Sequence, residues 1–163
     1  MCGIVGYIGK SPAGPVLLDS LEALEYRGYD SCGIAVSDGE AVTVVKDAVR
    51  VAELRRATPG LPGRVGIGHT RWATHGEPSG ANAHPHTDCT GRFAVVHNGI
   101  INNFQQLRRQ LKDRGHVLRS DTDTEVIVHL VEENYRGNLR EALERALAEV
   151  EGTYAVVLLL SLI

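Results

Sequence analysis

The feature that most constrains the fold is a pair of strand-length runs at residues 33–37 and 41–46, joined by Asp38-Gly39. An Asp-Gly pair between two such runs signals a hairpin, because a tight antiparallel turn needs backbone torsions that glycine adopts freely. Gly3-Ile4-Val5-Gly6-Tyr7-Ile8 reads as another buried strand, with glycines that allow close backbone approach. Residues 65–70 and 93–97 add two more, and Thr153 begins a last one running to Leu160. Helical patterns lie apart from these strands. Pro15 opens one that carries Leu17, Leu21 and Leu24 at spacings of four and three. A short helix is expected over 48–57, closed by Pro59-Gly60 and Pro62-Gly63, and Phe104, Leu107 and Leu111 mark another. Thr122-Asp123-Thr124-Glu125 has the form of a capping box ahead of Val126, Ile127, Leu130 and Val131. Leu139, Ala142, Leu143, Ala146, Leu147 and Val150 give the clearest amphipathic face, stopped by Gly152. Hairpin-joined strands with separate helices predict an α+β layered fold rather than a doubly wound one. No repeats or low-complexity linkers divide the 163 residues, so one domain is expected.

A cysteine directly after the initiating methionine is the first chemical signal. Removal of Met1 leaves Cys2 with a free α-amine, and such a group titrates near pH ~7.7–8.0. One residue then supplies both a thiol nucleophile and the base that takes its proton. Taken alone, Cys2 reads more readily as a small buried apolar residue. Asn98-Gly99 follows the run at 93–97. The dipeptide alone is a turn signal, but beside a nucleophile it offers a side-chain amide and an unobstructed N–H for a tetrahedral oxyanion. Arg71 presents a planar fork suited to a carboxylate, and Asp123 presents the opposite charge for an ammonium. Both also have bland readings, a solvated surface arginine and a helix-start acid. The polar loop at 72–92 holds three glycines, two prolines and three histidines, and its length suits a lid or binding loop around Gly76 and Gly80.

Six segments, met in order along the chain, resemble the glutaminase domains of class II glutamine amidotransferases. They are Cys2-Gly3-Ile4-Val5-Gly6-Tyr7-Ile8-Gly9, Leu24-Glu25-Tyr26-Arg27-Gly28-Tyr29-Asp30-Ser31 and Gly68-His69-Thr70-Arg71-Trp72-Ala73-Thr74-His75-Gly76, followed by Asn82-Ala83-His84-Pro85-His86, His97-Asn98-Gly99-Ile100-Ile101 and Ser120-Asp121-Thr122-Asp123-Thr124-Glu125. Within that group the glucosamine-6-phosphate synthase branch is the better match. Amidophosphoribosyltransferases and asparagine synthetases usually carry His-Arg-Gly followed by Gln-Asp or Pro-Asp where this chain has Tyr26-Arg27-Gly28-Tyr29-Asp30. Asn102 and Cys32 stand where the family commonly has glutamate and alanine. The resemblance implies a four-layer αββα amino-terminal nucleophile sandwich with two antiparallel sheets. It assigns Cys2, Asn98 and Gly99 to catalysis, and Arg71, Trp72, Thr74, His75, Gly99 and Asp123 to glutamine binding. The Tyr26–Asp30 segment is expected to support the site from a distance. Residues 1–163 are expected to form a type-2 glutamine amidotransferase domain, short of the family's full length at its C-terminal end. In the complete protein, a homo-oligomer by resemblance, a sugar-phosphate isomerase domain would consume the ammonia. A glutaminase of another class II branch and a catalytically silent fragment remain the competing readings.

Other chemistries fit less well. A formal net charge of −3 with dispersed basic residues gives no polyanion site, so no nucleic-acid partner is expected. The apolar stretch at 154–160 is too short to cross a bilayer, and the start lacks a basic n-region, so no membrane partner and a cytoplasmic location are expected. The odd, scattered set of Cys2, Cys32 and Cys89 fits a reducing compartment. Gly9-Lys10-Ser11 lacks the earlier glycine of a phosphate loop, and Gly66-x-Gly68 meets Arg71 where a dinucleotide fingerprint needs glycine. His84, His86, Cys89 and His97 match no standard zinc spacing, so neither metal nor cofactor is expected.

Overall fold

The fold is taken from a computed structural model that describes residues 1–162. Strand β1 (Gly3–Ile8) leads into helix α1 (Ala13–Leu24) and a single 3-10 turn at Glu25–Arg27. The hairpin β2 (Ser31–Ser37) and β3 (Val42–Asp47) follows, then α2 (Val51–Ala57) and β4 (Val65–Arg71). A two-residue strand β5 (His86–Thr87) precedes β6 (Phe93–Ile101), α3 (Phe104–Asp113), α4 (Glu125–Asn134), α5 (Leu139–Ala148) and β7 (Gly152–Leu160). One antiparallel sheet has the order β1-β4-β2-β3 and the other the order β5-β6-β7.

Strand periodicity sorts the apolar residues into three layers. On β2, Ile34 and Val36 point to a core shared with Leu17, Leu18 and Leu21 of α1 and with Val51 and Leu54 of α2. Ala35 points the other way, into a layer with Ile67, Ala94, Val96 and Leu159 that joins the two sheets. On β6, Phe93 and Val95 continue through the second sheet to α3, α4 and α5, where Leu107, Leu111, Ile127, Leu130 and Ala142 are buried. Alternate residues thus serve opposite faces of each sheet. The result is the four-layer αββα sandwich, α+β in class, that the sequence led us to expect. Within it α4 is buried at every residue from Glu125 through Val131, because it lies under β6 and between its neighbouring helices.

Several expected boundaries move for identifiable reasons. Helix α1 begins at Ala13, whose N–H donates to the Gly63 carbonyl at 2.9 Å, so Pro15 falls inside the first turn, where no intrahelical donor is missed. Helix α2 begins at Val51 rather than 48. The Glu25 carboxylate reaches across from the 3-10 turn to accept from Val51 N at 2.8 Å and pair with Arg50 at 2.8 Å, a cap supplied from outside the helix. Strand β6 runs four residues past the expected end, because β7 pairs with its whole length from Phe93–Leu160 to Ile101–Gly152. Asn98-Gly99 therefore lies inside a strand, neither a turn nor a post-strand loop.

The expected capping box does not form. Thr124 is helical in φ and ψ and makes no side-chain cap. The Thr122 hydroxyl instead meets Ser120 Oγ at 2.9 Å and His86 Nε2 at 3.0 Å, while Glu125 accepts from Ser120 N at 2.7 Å and Arg119 N. Buried tertiary partners have outcompeted the local reciprocal bonds.

Leu21 is fully buried where α1 packs on the first sheet. Leu21→Ala should lower unfolding free energy by about 2–5 kcal/mol, read by urea denaturation with an unchanged m-value.

Candidate active site

Antiparallel pairing of β1 with β4 sets Gly3 opposite Thr70, which brings Cys2 beside the outgoing end of β4. Gly3 N donates to Thr70 Oγ1 at 3.1 Å, and Trp72 N donates to the Cys2 sulfur at 3.2 Å. The second sheet supplies Asn98, whose Nδ2 donates to the Cys2 carbonyl at 3.1 Å. These groups border a cavity of about 460 Å³, lined also by Arg27, Arg71, Thr74, His97, Gly99 and Asp123. A volume of this size suits a small polar metabolite.

Cys2, Asn98, Gly99, Arg71, Trp72, Thr74 and Asp123 all line the cavity. His75 stands at its border, with Nδ1 3.9 Å from Asp123 Oδ1 and its ring edge-to-face with Phe104. Arg71 is no solvated surface charge; it is 3 % exposed. Its guanidinium donates to the carbonyls of His75, Gly76 (2.9 Å) and Glu77 (3.4 Å), pinning the start of the polar loop against the cavity. Burial lowers its pKa from the ordinary arginine value, opposed by the negative groups around it. Asp123 is buried too, and its Oδ2 accepts from Ile101 N at 2.8 Å, which leaves Oδ1 toward His75.

Two contributors were not among the expected site residues. Arg27, expected to act from a distance, donates from Nε to the Cys2 carbonyl at 3.1 Å, and its side chain lines the cavity. Gly28 makes this possible: a Cβ there would stand 2.7–2.8 Å from the Arg71 carbonyl and Trp72 N. Asp30 then ties the segment down, its N–H donating to Arg71 O at 3.0 Å and its Oδ2 accepting from Ala73 N at 2.9 Å.

The second is His69. The Cys2 carbonyl can only accept, so Asn98 must present its nitrogen there and turn Oδ1 toward His69 Nε2, 3.0 Å away. The His97 carbonyl is 3.1 Å from the same nitrogen. Two acceptors fix Nε2 as the protonated nitrogen of a neutral ring. Complete burial pushes the His69 pKa down to about 3, against the pull of Asn98 and His97, and the ring stacks on His84 at 4.0 Å. His84 and His86, in edge contact at 4.7 Å, are likewise held well below the ordinary histidine value by burial. His97 Nδ1 meets Thr124 Oγ1 at 2.8 Å. Of the four residues weighed as zinc ligands, the three histidines thus serve this core, and Cys89 faces His116 and His129 instead.

Two outcomes follow from this geometry. Gly99 has φ +136°, and a Cβ there would stand 1.9 Å from the Thr153 carbonyl oxygen. Gly99→Ala should therefore destabilise the fold by about 1–3 kcal/mol or more, measured by urea unfolding. Burial holds His69 down to about 3 and His84 and His86 well below the ordinary value of 6.5, so these rings are neutral in the fold and the unfolded chain binds more protons as pH falls below 6.5. Their stabilisation is complete above pH 6.5 and is lost progressively as pH falls below it. The slope of unfolding free energy near pH ~5 should report an uptake of about three protons by these rings. A flat profile from neutrality to that pH would contradict their neutral state.

Residues 69–161 match the family described as glutamine amidotransferase domain. The chain is 56% identical over 163 residues to glutamine–fructose-6-phosphate aminotransferase (isomerizing) of Pyrococcus horikoshii, covering 98% of this chain and 27% of that one. To a Thermus thermophilus enzyme of the same name it is 58% identical over 160 residues, covering 96% and 26%. The chain therefore spans about a quarter of the length of these curated relatives. Among solved structures, the Bacillus subtilis glutamine phosphoribosylpyrophosphate amidotransferase superposes with a TM-score of 0.85 at 28% identity, covering 99% of this chain and 35% of that one. From the matched residues and these relatives, the chain belongs to the glutamine amidotransferase domain family.

Proposed function

We propose that residues 1–163 act as one type-2 glutamine amidotransferase domain that hydrolyses glutamine, with Cys2 as nucleophile after removal of Met1. The observation that carries this reading is the convergence of the Cys2 thiol, the Asn98 amide, the Arg71 guanidinium and the Asp123 carboxylate on one cavity. A free amino acid with a side-chain amide needs all four.

While Met1 is attached, the Cys2 nitrogen is a peptide amide with no usable basicity. Its release creates an amine that accepts the thiol proton near neutral pH. The sulfur then attacks the substrate's side-chain carbonyl carbon. Asn98 Nδ2 carries two hydrogens, one held by the Cys2 carbonyl; the second, with the Gly99 N–H, would meet the developing oxyanion. His69 acts as a positioning residue by locking the Asn98 orientation. Collapse of the tetrahedral centre breaks the carbon–nitrogen bond, the α-ammonium gives its proton to the leaving nitrogen, and ammonia departs from a γ-glutamyl thioester. Water attacks the thioester and releases glutamate with the regenerated thiol. Arg71 would hold the substrate carboxylate and Asp123 Oδ1 its ammonium, with Trp72, Thr74 and His75 forming the wall and the loop behind them closing as a lid.

The relatives' names support a larger assignment. In a chain of their length the ammonia would pass to a sugar-phosphate isomerase domain and yield glucosamine 6-phosphate, in a cytoplasmic homo-oligomer. Among the described residues no helix is long and apolar enough to cross a membrane.

Glutamate release from glutamine tests the reading. The Met1-free chain should turn over, and a chain blocked at its amino terminus should not. Asn98→Ala should lower kcat by about 10²–10³-fold with a smaller change in KM. Equal rates with and without a free Cys2 amine would overturn the mechanism.

A further inference from the structure

Outside the cavity, four side chains from three separate segments converge. Cys89 sits in the turn between β5 and β6, His116 in the link after α3, and His129 and Glu132 three residues apart on one face of α4. Their ligand atoms all lie within 4.8 Å of one another, and none of the four lines the cavity. Cys89 Sγ is 3.6 Å from His116 Nδ1 and 3.6 Å from His129 Nδ1. The two Nδ1 atoms are 3.2 Å apart. Glu132 Oε2 is 3.2 Å from His116 Nδ1 and 3.3 Å from His129 Nδ1.

These five separations can be set against a tetrahedron. With zinc–sulfur bonds of ~2.3 Å and zinc–nitrogen and zinc–oxygen bonds of ~2.0–2.1 Å, tetrahedral edges are about 3.5–3.6 Å for S···N and about 3.3 Å for N···N and N···O. The five distances reproduce this pattern, including the longer sulfur edges. Hydrogen bonding alone accounts for it poorly. Each Nδ1 has one in-plane hydrogen or one lone pair, yet each has three polar neighbours, which marks atoms aimed at a common centre.

The surrounding groups also suit a metal. The far nitrogen of His116, Nε2, meets Glu133 Oε1 at 3.1 Å, and Glu133 is itself paired with Arg114. The far nitrogen of His129 faces Glu125 Oε1 at 3.6 Å. Carboxylates behind ligating imidazoles fix the ring orientation and raise ligand basicity. Val117 N points at the Cys89 sulfur at 3.5 Å, a contact suited to a thiolate.

We propose that Cys89, His116, His129 and Glu132 form a closed, four-ligand structural zinc(II) site. One thiolate, two imidazoles and one carboxylate favour zinc over magnesium or calcium, which take oxygen ligands. With all four positions filled by protein, the ion is a cross-link and takes no part in hydrolysis. It fastens the β5–β6 turn and the α3–α4 link to α4, directly preceded by Asp123 and Thr124, which border the cavity.

Cobalt(II) substitution tests this on the whole chain. The metal-free protein titrated with cobalt should take up one equivalent, with tetrahedral d–d bands and a thiolate-to-cobalt charge-transfer band. Both signals should survive Cys2→Ala and Cys32→Ala. Cys89→His, which offers nitrogen for sulfur, should keep bound cobalt and lose the charge-transfer band, separating ligand exchange from misfolding. Zinc should raise the Tm of the parent chain and leave that of a folded His116→Ala variant unchanged. Absence of tetrahedral bands in the parent, or a charge-transfer band that persists without Cys89, would overturn the site.

Discussion

The structure depends on one register. Pairing Gly3 with Thr70 places the second residue of the chain at the level where β4 turns into the polar loop, so the Cys2 sulfur meets the Trp72 amide. A shift by one residue would turn every side chain of β1 to the opposite face and carry the thiol away from the cavity. Everything else that touches Cys2 reinforces the placement. Arg27 and Asn98, from different layers, both donate to its carbonyl oxygen, and Thr70 accepts the next amide. The backbone of Cys2, the proposed nucleophile, is thus held from both sheets, and the same bonds orient the Asn98 amide proposed to meet the oxyanion.

Behind that contact lies a buried polar layer that an apolar sandwich would not otherwise tolerate. Leaving such groups unpaired costs about 1–3 kcal/mol each. His97 N donates to His84 Nδ1, His97 Nδ1 meets Thr124 and Thr122 meets His86 within this layer, while His69 pairs through Nε2 alone and leaves its buried Nδ1 without a partner. The cost falls where the proposed chemistry calls for a rigid Asn98 and a fixed Asp123, whose second oxygen is engaged by the Ile101 amide. Arg71 serves a related end: two of its nitrogens hold loop carbonyls while its charge faces the cavity.

Much of this was legible in the residues. The Asp38-Gly39 hairpin, the amphipathic face of α5 and the Cys2 thiol all signal locally, and each lies where its pattern pointed. What escaped depended on distant partners. Nothing within 93–101 announces that β6 continues through Asn98-Gly99; that follows from the length of β7. Thr122 and Glu125 have the spacing of a capping box, but buried partners at Ser120, Arg119 and His86 claim them. His69 looks like any strand histidine until Asn98 arrives from the other sheet, 29 residues away. The Cys89 cluster is spread over separations of 27 and 13 residues, with only His129-x-x-Glu132 as a local hint. Tertiary convergence of this kind leaves no periodicity to read.

The proposed chemistry rests on Cys2, once its α-amine is free, acting as the nucleophile of a glutamine-sized cavity. Intact-mass analysis after exposure to an electrophilic glutamine analogue tests this most directly. The expected result is a chain without Met1 that gains a single adduct, abolished by Cys2→Ala and slowed by excess glutamine. A processed, folded chain that takes no adduct, or one labelled equally at Cys89, would contradict it.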